Sequence, residues 1–231
     1  MGFLSNEIFL ITITFGIFFF AKLLQKKTGI LLLNPVLITI VVLIVFLKIT
    51  GISYETYSKG GHFIDFWLKP AVVALGIPLY LQLESIKKQL LPILLSQLAG
   101  CFVGVISVVF IARLLGAGKE VVLSLAAKSV TTPIAMEITK TVGGIPSLTA
   151  AVVVCVGLFG AIAGFRVLRI FGIKTDTAQG LSMGAAAHAV GTDRAMNVSQ
   201  LHGAYASLGL ILNGIFTAIF TPTILAFFGW M

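Results

Sequence analysis

The residues best suited to chemistry lie in one apolar stretch, where a lysine is followed closely by hydroxyl groups and a proline. They are Lys128, Ser129, Thr131, Thr132 and Pro133. A lysine at the centre of a bilayer costs about 2.5–3.5 kcal/mol on insertion scales, and intramembrane ionisable groups usually have a function. Thr132 suits an N-cap and Pro133 a first helical turn, whose free N–H groups attract anions. The pattern predicts a site for a small anion.

Two other interpretations of this stretch remain open. Lys128 could pair with Glu137 or extend its amino group towards the membrane surface. Glu137 would then support Lys128 or take part in coupling transport to an ion. Thr132 and Pro133 could also form an ordinary helix cap inside a kinked span.

A second polar group occurs further along the chain, within a run of small residues. His188, Gly191 and Thr192 are followed directly by Asp193 and Arg194. The imidazole of His188 could bind a solute or carry a proton, and Gly191 permits a close approach of the backbone. A histidine packed for structural reasons, and an arginine that only marks the cytoplasmic side, are the alternatives.

The two groups align in one register. A shift of 60 residues places Glu120–Leu148 on Gly180–Leu208 without a gap, and nine of the 29 positions are identical. The centre of the match reads KSVTTPIAM against HAVGTDRAM. We therefore predict an internal repeat of residues 120–170 and 180–230.

The composition indicates the environment that surrounds these groups. The 231 residues are 58% hydrophobic and 10% charged, with a mean hydropathy of +1.08. A soluble domain carries about 25% charged residues, so most of this chain must face lipid. The net charge of +8 is divided into short clusters between apolar runs, which is typical of membrane topology signals and argues against nucleic-acid binding. No hydrolase, metal or nucleotide motif occurs, so we expect no enzyme activity, cofactor or metal.

Six apolar segments are long enough, or nearly so, to cross a bilayer. The third contains Pro70 and Pro78 and is expected to be kinked. The segments are Ile8–Leu24, Leu31–Leu47, Phe63–Leu81, Leu90–Leu115, Leu148–Leu168 and Ser207–Phe228.

The basic clusters orient these spans and place both termini outside. The count then requires Val121–Val142, and likewise Thr177–Val198, to begin and end on one side. We expect each to be a re-entrant or broken-helix segment, with breaks near Thr131–Pro133 and near Gly191–Thr192. Because each repeat crosses the membrane once, the copies form an inverted repeat, an architecture typical of secondary transporters.

The predicted fold is thus an all-α polytopic membrane protein with six full spans and two broken segments. It is one membrane domain, in which residues 1–116 form a four-span scaffold and residues 117–231 a transport core. Asn34 in the second span and Tyr80 near Pro78 are secondary candidates, for which a structural role is favoured.

Several of these blocks resemble the LrgB/CidB family, and the resemblance covers nearly the whole chain. One departure is Ala187, where a serine is common in the family, and another is the added charge of Asp193. The blocks are Asn34-Pro35, Thr50–Gly61, Leu68–Tyr80, Lys128–Ala150 and Gly180–Ala195.

The resemblance implies two functions. One is transport of small 2-oxo or 2-hydroxy carboxylates of the pyruvate, glycolate, glycerate and lactate class. The other is holin- or antiholin-like regulation of murein hydrolase activity and cell lysis, with a smaller LrgA/CidA-type membrane protein as partner.

The broken helices favour the carrier. We expect alternating access in the bacterial inner membrane, a homo-oligomer, and the solute gradient, a proton or a sodium ion as driving force.

Overall fold

The structure is a computed structural model that describes residues 6–30, 33–74, 76–81 and 83–231. Within these ranges every regular element is a helix. The chain divides into two compact units, Met1–Leu75 and Gly76–Met231. Together with its hydropathy, this architecture is that of an all-α polytopic membrane protein.

The described part of the first unit contains three helices, and its helix ends follow from local sequence. Helix α1 packs against both α2 and α3, and Thr14 and Tyr57 place their hydroxyl oxygens 3.0 Å apart between α1 and α3. Asn34 caps α2, because its side chain accepts the N–H of Val36 at 2.9 Å. The helices are α1 (Glu7–Thr28), α2 (Pro35–Thr50) and α3 (Tyr54–Ala74).

The second unit holds eight described helices. Its longest member, α11, packs against α4, α6, α8 and α10, while α9 packs against α7, α8 and α10. The helices are α4 (Gly76–Leu81), α5 (Leu83–Lys88), α6 (Leu90–Leu114), α7 (Lys119–Leu125), α8 (Thr132–Val142), α9 (Pro146–Ile170), α10 (Asp176–Met196) and α11 (Gln200–Phe227).

In the part of the chain described, four helices are long and apolar enough to span a bilayer: α1, α6, α9 and α11. Helix α2 is apolar but has only 16 residues. The third predicted span, Phe63–Leu81, includes Leu75, which lies outside the described residues; α3 extends to Ala74 and α4 begins at Gly76. The count of six full spans therefore stays a prediction, as does the inverted relation of the repeats.

The segment Val121–Val142 folds back on itself, as the sequence predicted. Helix α7 ends at Leu125, turns occupy residues 126–130, and α8 begins at Thr132. At the base of this hairpin, Ser124 Oγ accepts the N–H of Ile145 at 2.7 Å. Residues 21 positions apart on a straight helix would be about 30 Å apart, so the contact requires a reversal of direction.

One detail of this hairpin differs from the sequence prediction. The N-cap of α8 is Thr131 (φ −64°, ψ 149°), and Thr132 is already helical. Pro133 still lies in the first turn, where its missing N–H is not needed. The cap lies one residue earlier because Thr131 is the residue with extended backbone.

A buried hydroxyl cluster holds the base of the first hairpin. Ser124, Thr139 and Thr149 are fully buried. Thr149 Oγ1 donates to Ser124 O at 2.9 Å and lies 2.8 Å from Thr139 Oγ1. Buried polar groups are nearly always hydrogen-bonded within the protein. Here their hydrogen bonds connect α7, α8 and α9 at one point.

Replacing Ser124 by alanine is expected to destabilise the protein by about 1–3 kcal/mol, because the N–H of Ile145 loses its acceptor inside the protein. The melting temperature of the purified protein in detergent measures this. Ser107→Ala is the matched control, since the Ser107 hydroxyl is bonded to Gly104 O within its own helix. Equal melting temperatures for both variants would contradict the role given to Ser124.

The segment Thr177–Val198 also folds back. His202, at the start of α11, donates from Nε2 to Gln179 Oε1 at 3.3 Å, near the start of α10. The chain between them breaks at Ala187 (φ −122°, ψ 16°) and His188 (φ 42°, ψ −137°). The end of the second hairpin therefore lies close to its beginning.

The predicted break near Gly191–Thr192 was wrong in position. Both residues lie in the helix that follows the break at Ala187–His188. Gly191 is required for another reason: a Cβ there would collide with the backbone oxygen of Met183 on the first half of α10. The glycine permits the two halves to approach, and the bend itself is made upstream.

Candidate functional site

A cleft of about 390 Å³ lies in the second unit, within the usual size range of small-molecule sites. Its wall combines α6, the break between α7 and α8, the first half of α10, and α11. Its polar side chains include Gln97, Cys101, Lys128, Ser129, Asn213 and Thr217. The first predicted break and the first half of α10 are thus brought together with two long helices.

Lys128 gives the cleft its charge. It is the single charged side chain among the described residues of the wall. Its Nζ donates to Ser129 Oγ at 3.0 Å, and no acid within the described ranges forms an ion pair with it. An ammonium group has three donors, so two stay available to a ligand. The arrangement suits an anion.

Pairing of Lys128 with Glu137 does not occur. Glu137 is exposed and binds Lys140 at 2.7 Å on the same helix. Such a pair contributes little to stability in water. Glu137 therefore lies outside the cleft.

Asn213 connects the two hairpins. Its Nδ2 donates to Ser129 O at 3.3 Å and to Ala185 O at 2.9 Å. The first carbonyl belongs to the break before α8, and the second to α10 just before its own break. Thr217 Oγ1 donates to Asn213 Oδ1 at 3.5 Å and lies 3.6 Å from Cys101 Sγ. One amide thus fixes the relative positions of both hairpin tips.

Replacing Asn213 by aspartate should loosen the two tips, because a carboxylate cannot donate to the carbonyls of Ser129 and Ala185. Hydrogen exchange in residues 126–131 and 185–189 should rise about tenfold or more, which corresponds to the loss of one or two net hydrogen bonds. The matched control is Asn197→Asp, since Asn197 also donates to a backbone oxygen but is exposed. Unchanged exchange at both tips would show that the amide does not hold them.

His188, Gly191 and Thr192 are buried outside the cleft wall. His188 Nε2 donates to Val153 O at 2.9 Å. Its ring occupies the space beside Gly157, where an added Cβ would lie 2.5 Å from the ring carbon Cε1. His188, which was predicted to bind a solute, thus packs against α9.

Thr192 is satisfied within the protein, since its Oγ1 donates to His188 O at 2.9 Å. Asp193 is exposed and Arg194 is half-exposed on the same half-helix, and neither lines the cleft. Thr192, Asp193 and Arg194 therefore do not contribute to this cleft.

The start of α8 lies beside the cleft without forming its wall. Thr131 and Thr132 are half-buried and Pro133 is exposed, and the described lining does not include them. Asn34 belongs to the first unit and acts as a helix cap. Tyr80 is 76% exposed on α4. Of the residues predicted from sequence, Lys128 and Ser129 are the pair found in the cleft.

Sequence reasoning missed the residues contributed by the long helices. Gln97 and Cys101 come from α6, which had been placed with the scaffold, and Asn213 and Thr217 come from α11. The available signal was a single amide inside an apolar helix, in LLSQLAG and in LILNGIF. Such amides usually bond across helices.

The comparisons with known proteins address the family directly. The LrgB-like family model matches residues 14–227. The chain belongs to the LrgB family. It is 33% identical over 96% of its length to a protein named holin-like protein CidB from Staphylococcus epidermidis, of which the match covers 97%.

Two further relatives carry no functional name. An uncharacterized protein from Haemophilus influenzae is 38% identical over 89% of each chain. Another, YwbG from Bacillus subtilis, is 37% identical over 84% of this chain and 86% of its own. No solved structure matches. The relatives are bacterial and the helices are apolar enough to span a bilayer, so this LrgB-family chain is a bacterial membrane protein.

Proposed function

We propose that this LrgB-family protein carries small carboxylate anions across the membrane, with the cleft at Lys128 as the solute site. The observation that supports this most strongly is the half-buried ammonium group of Lys128 without an acidic partner in the described structure, in a cleft flanked by two broken hairpins. Uncompensated charge away from bulk water is costly. A bound anion would offset that cost.

The proposed mechanism uses Lys128 and not the helix starts. The carboxylate accepts hydrogen bonds from the two spare Lys128 donors, while Asn213 keeps the hairpin tips beside it. Backbone breaks at membrane depth are tolerated where they line a cavity. Movement of the two hairpins against α6 and α11 would expose the cleft to each side in turn, as in other carriers with broken helices.

Flux in proteoliposomes tests the proposal. Purified protein should take up labelled lactate or pyruvate at a rate that saturates with concentration. Excess unlabelled carboxylate should reduce this uptake by competition. The neutral amide of the same acid should not compete, because it lacks the charge that Lys128 binds. A rate that rises linearly with concentration, without competition, would argue against a carrier.

A holin-like membrane regulator is the second candidate, and the names of the relatives favour it over the carrier. The relatives from Staphylococcus epidermidis and Staphylococcus aureus, 33–34% identical over 96% of this chain, are named holin-like protein CidB. This function predicts leakage that neither saturates nor discriminates between solutes. Release of a trapped fluorescent dye of several hundred daltons separates it from carrier flux.

A partner would change how either function is assayed. The LrgB/CidB resemblance implies a smaller LrgA/CidA-type membrane protein, and co-purification followed by flux measurements on each chain alone and on the pair tests it. A homo-oligomer, coupling to a proton or sodium ion, and termini outside the bacterial inner membrane belong to the same proposal.

A further inference from the structure

Gln97 presents a buried amide oxygen that no group in the described structure satisfies. The residue is 4% exposed, lines the cleft from α6, and its Oε1 has no hydrogen-bond partner. Buried side-chain oxygens are nearly always paired, and an exception needs a specific explanation. We propose that Gln97 contacts the carried solute and selects for one that brings a hydrogen-bond donor.

The surrounding wall explains why the solute must supply this donor. Thr217 donates to Asn213, and Asn213 donates to both hairpins. No wall residue donates to Gln97 Oε1 in the described structure, and the donors of Lys128 attract the anionic end of a solute. A carboxylate alone would satisfy Lys128 and leave the Gln97 oxygen unpaired. A carboxylate that also carries a hydroxyl group satisfies both.

Such an arrangement gives selectivity against solutes that lack the hydroxyl. A site that bonds a hydroxyl discriminates strongly against the analogue without it, because binding the analogue leaves a buried group unpaired. A purely apolar pocket discriminates weakly between the same two solutes. The inference rests on the proposed function, because the solute at Gln97 is the carboxylate carried at Lys128.

The test compares lactate with propionate, which differ by one hydroxyl, in proteoliposomes. Wild-type protein should show a half-saturating concentration about tenfold lower for lactate. Gln97→Met keeps the length of the side chain and removes its polar atoms, so the difference between lactate and propionate should disappear. Gln97→Asn keeps an amide and should retain part of the preference. Gln200→Met, at an exposed position, is the matched control and should behave as wild type.

The outcomes separate this inference from the proposed function. Saturable flux with the same lactate-to-propionate ratio in wild type and Gln97→Met overturns the role of Gln97 and leaves the carrier intact. A Gln97-dependent preference for pyruvate over lactate also overturns it, because the amide would then be donating. Absence of saturable flux for either acid overturns both the carrier and the inference. Loss of all flux in Gln97→Met, with partial preference kept in Gln97→Asn, supports the contact.

Discussion

Replacing Lys128 by methionine is expected to reduce saturable carboxylate flux by about 100-fold or more. The substitution removes the charge of the cleft wall and the donors of charge-assisted hydrogen bonds, each of which contributes about 1.5–3 kcal/mol. The protein should still fold, because in the described structure the side chain of Lys128 is bonded only to the neighbouring Ser129 hydroxyl. Initial rates of labelled lactate uptake in proteoliposomes measure the effect.

The matched control is a lysine in the same hairpin region. Lys140 is exposed and paired with Glu137 on α8, so Lys140→Met should leave flux within about twofold of wild type, since surface pairs contribute little. Equal flux in wild type, Lys128→Met and Lys140→Met would show that this cleft does not contain the anion site. A holin-like protein would give that result, with dye leakage unchanged in both variants.

Replacing Gly184 by alanine should have the largest effect on folding. A Cβ at this position would collide with the backbone oxygen of Ala206, where α10 crosses α11. Small residues permit such close helix contacts in membranes, and the backbone cannot yield as a flexible side chain does. We expect a loss of about 3 kcal/mol or more, the upper part of the range for overpacked cores.

The corresponding fall in melting temperature is roughly 6–12 °C for a chain of this size, measured on the purified protein in detergent. Gly16→Ala is the matched control, because nothing lies within 4 Å of its added Cβ and alanine is the better helix former. If Gly184→Ala melts within about 2 °C of wild type, the close contact between α10 and α11 is not a determinant of stability.

The hairpins could be predicted from the sequence because charge and hydropathy restrict topology strongly. Basic clusters predict the orientation of the long spans, and with Gly116 and Arg166 expected on opposite sides of the membrane, Val121–Val142 was expected to return. The same count applied to Thr177–Val198. The bend at His188 could not be placed in the same way. A glycine marks where backbone freedom or space is needed, and Gly191 supplies space beside Met183 while the bend occurs at a histidine with positive φ.

Only part of the cleft could be predicted from the sequence. Lys128 carries its own signal, because a charge in an apolar stretch is costly. Gln97 and Asn213 carry a weaker one, since amides in spans mostly bond to neighbouring helices. Only the packing shows that Asn213 has partners on both hairpins while the oxygen of Gln97 has none among the described residues.

The central claim is that the cleft beside Lys128 binds a carboxylate, and a thiol placed in its wall tests this most directly. Ser182 lines the cleft, and the two native cysteines, Cys101 and Cys155, would first be replaced by alanine and serine. The rate at which a small anionic thiol reagent modifies the Ser182→Cys variant should fall as lactate is added and then reach a plateau. Lactamide should not change this rate. A rate that neither compound changes, or that both change equally, would contradict the account.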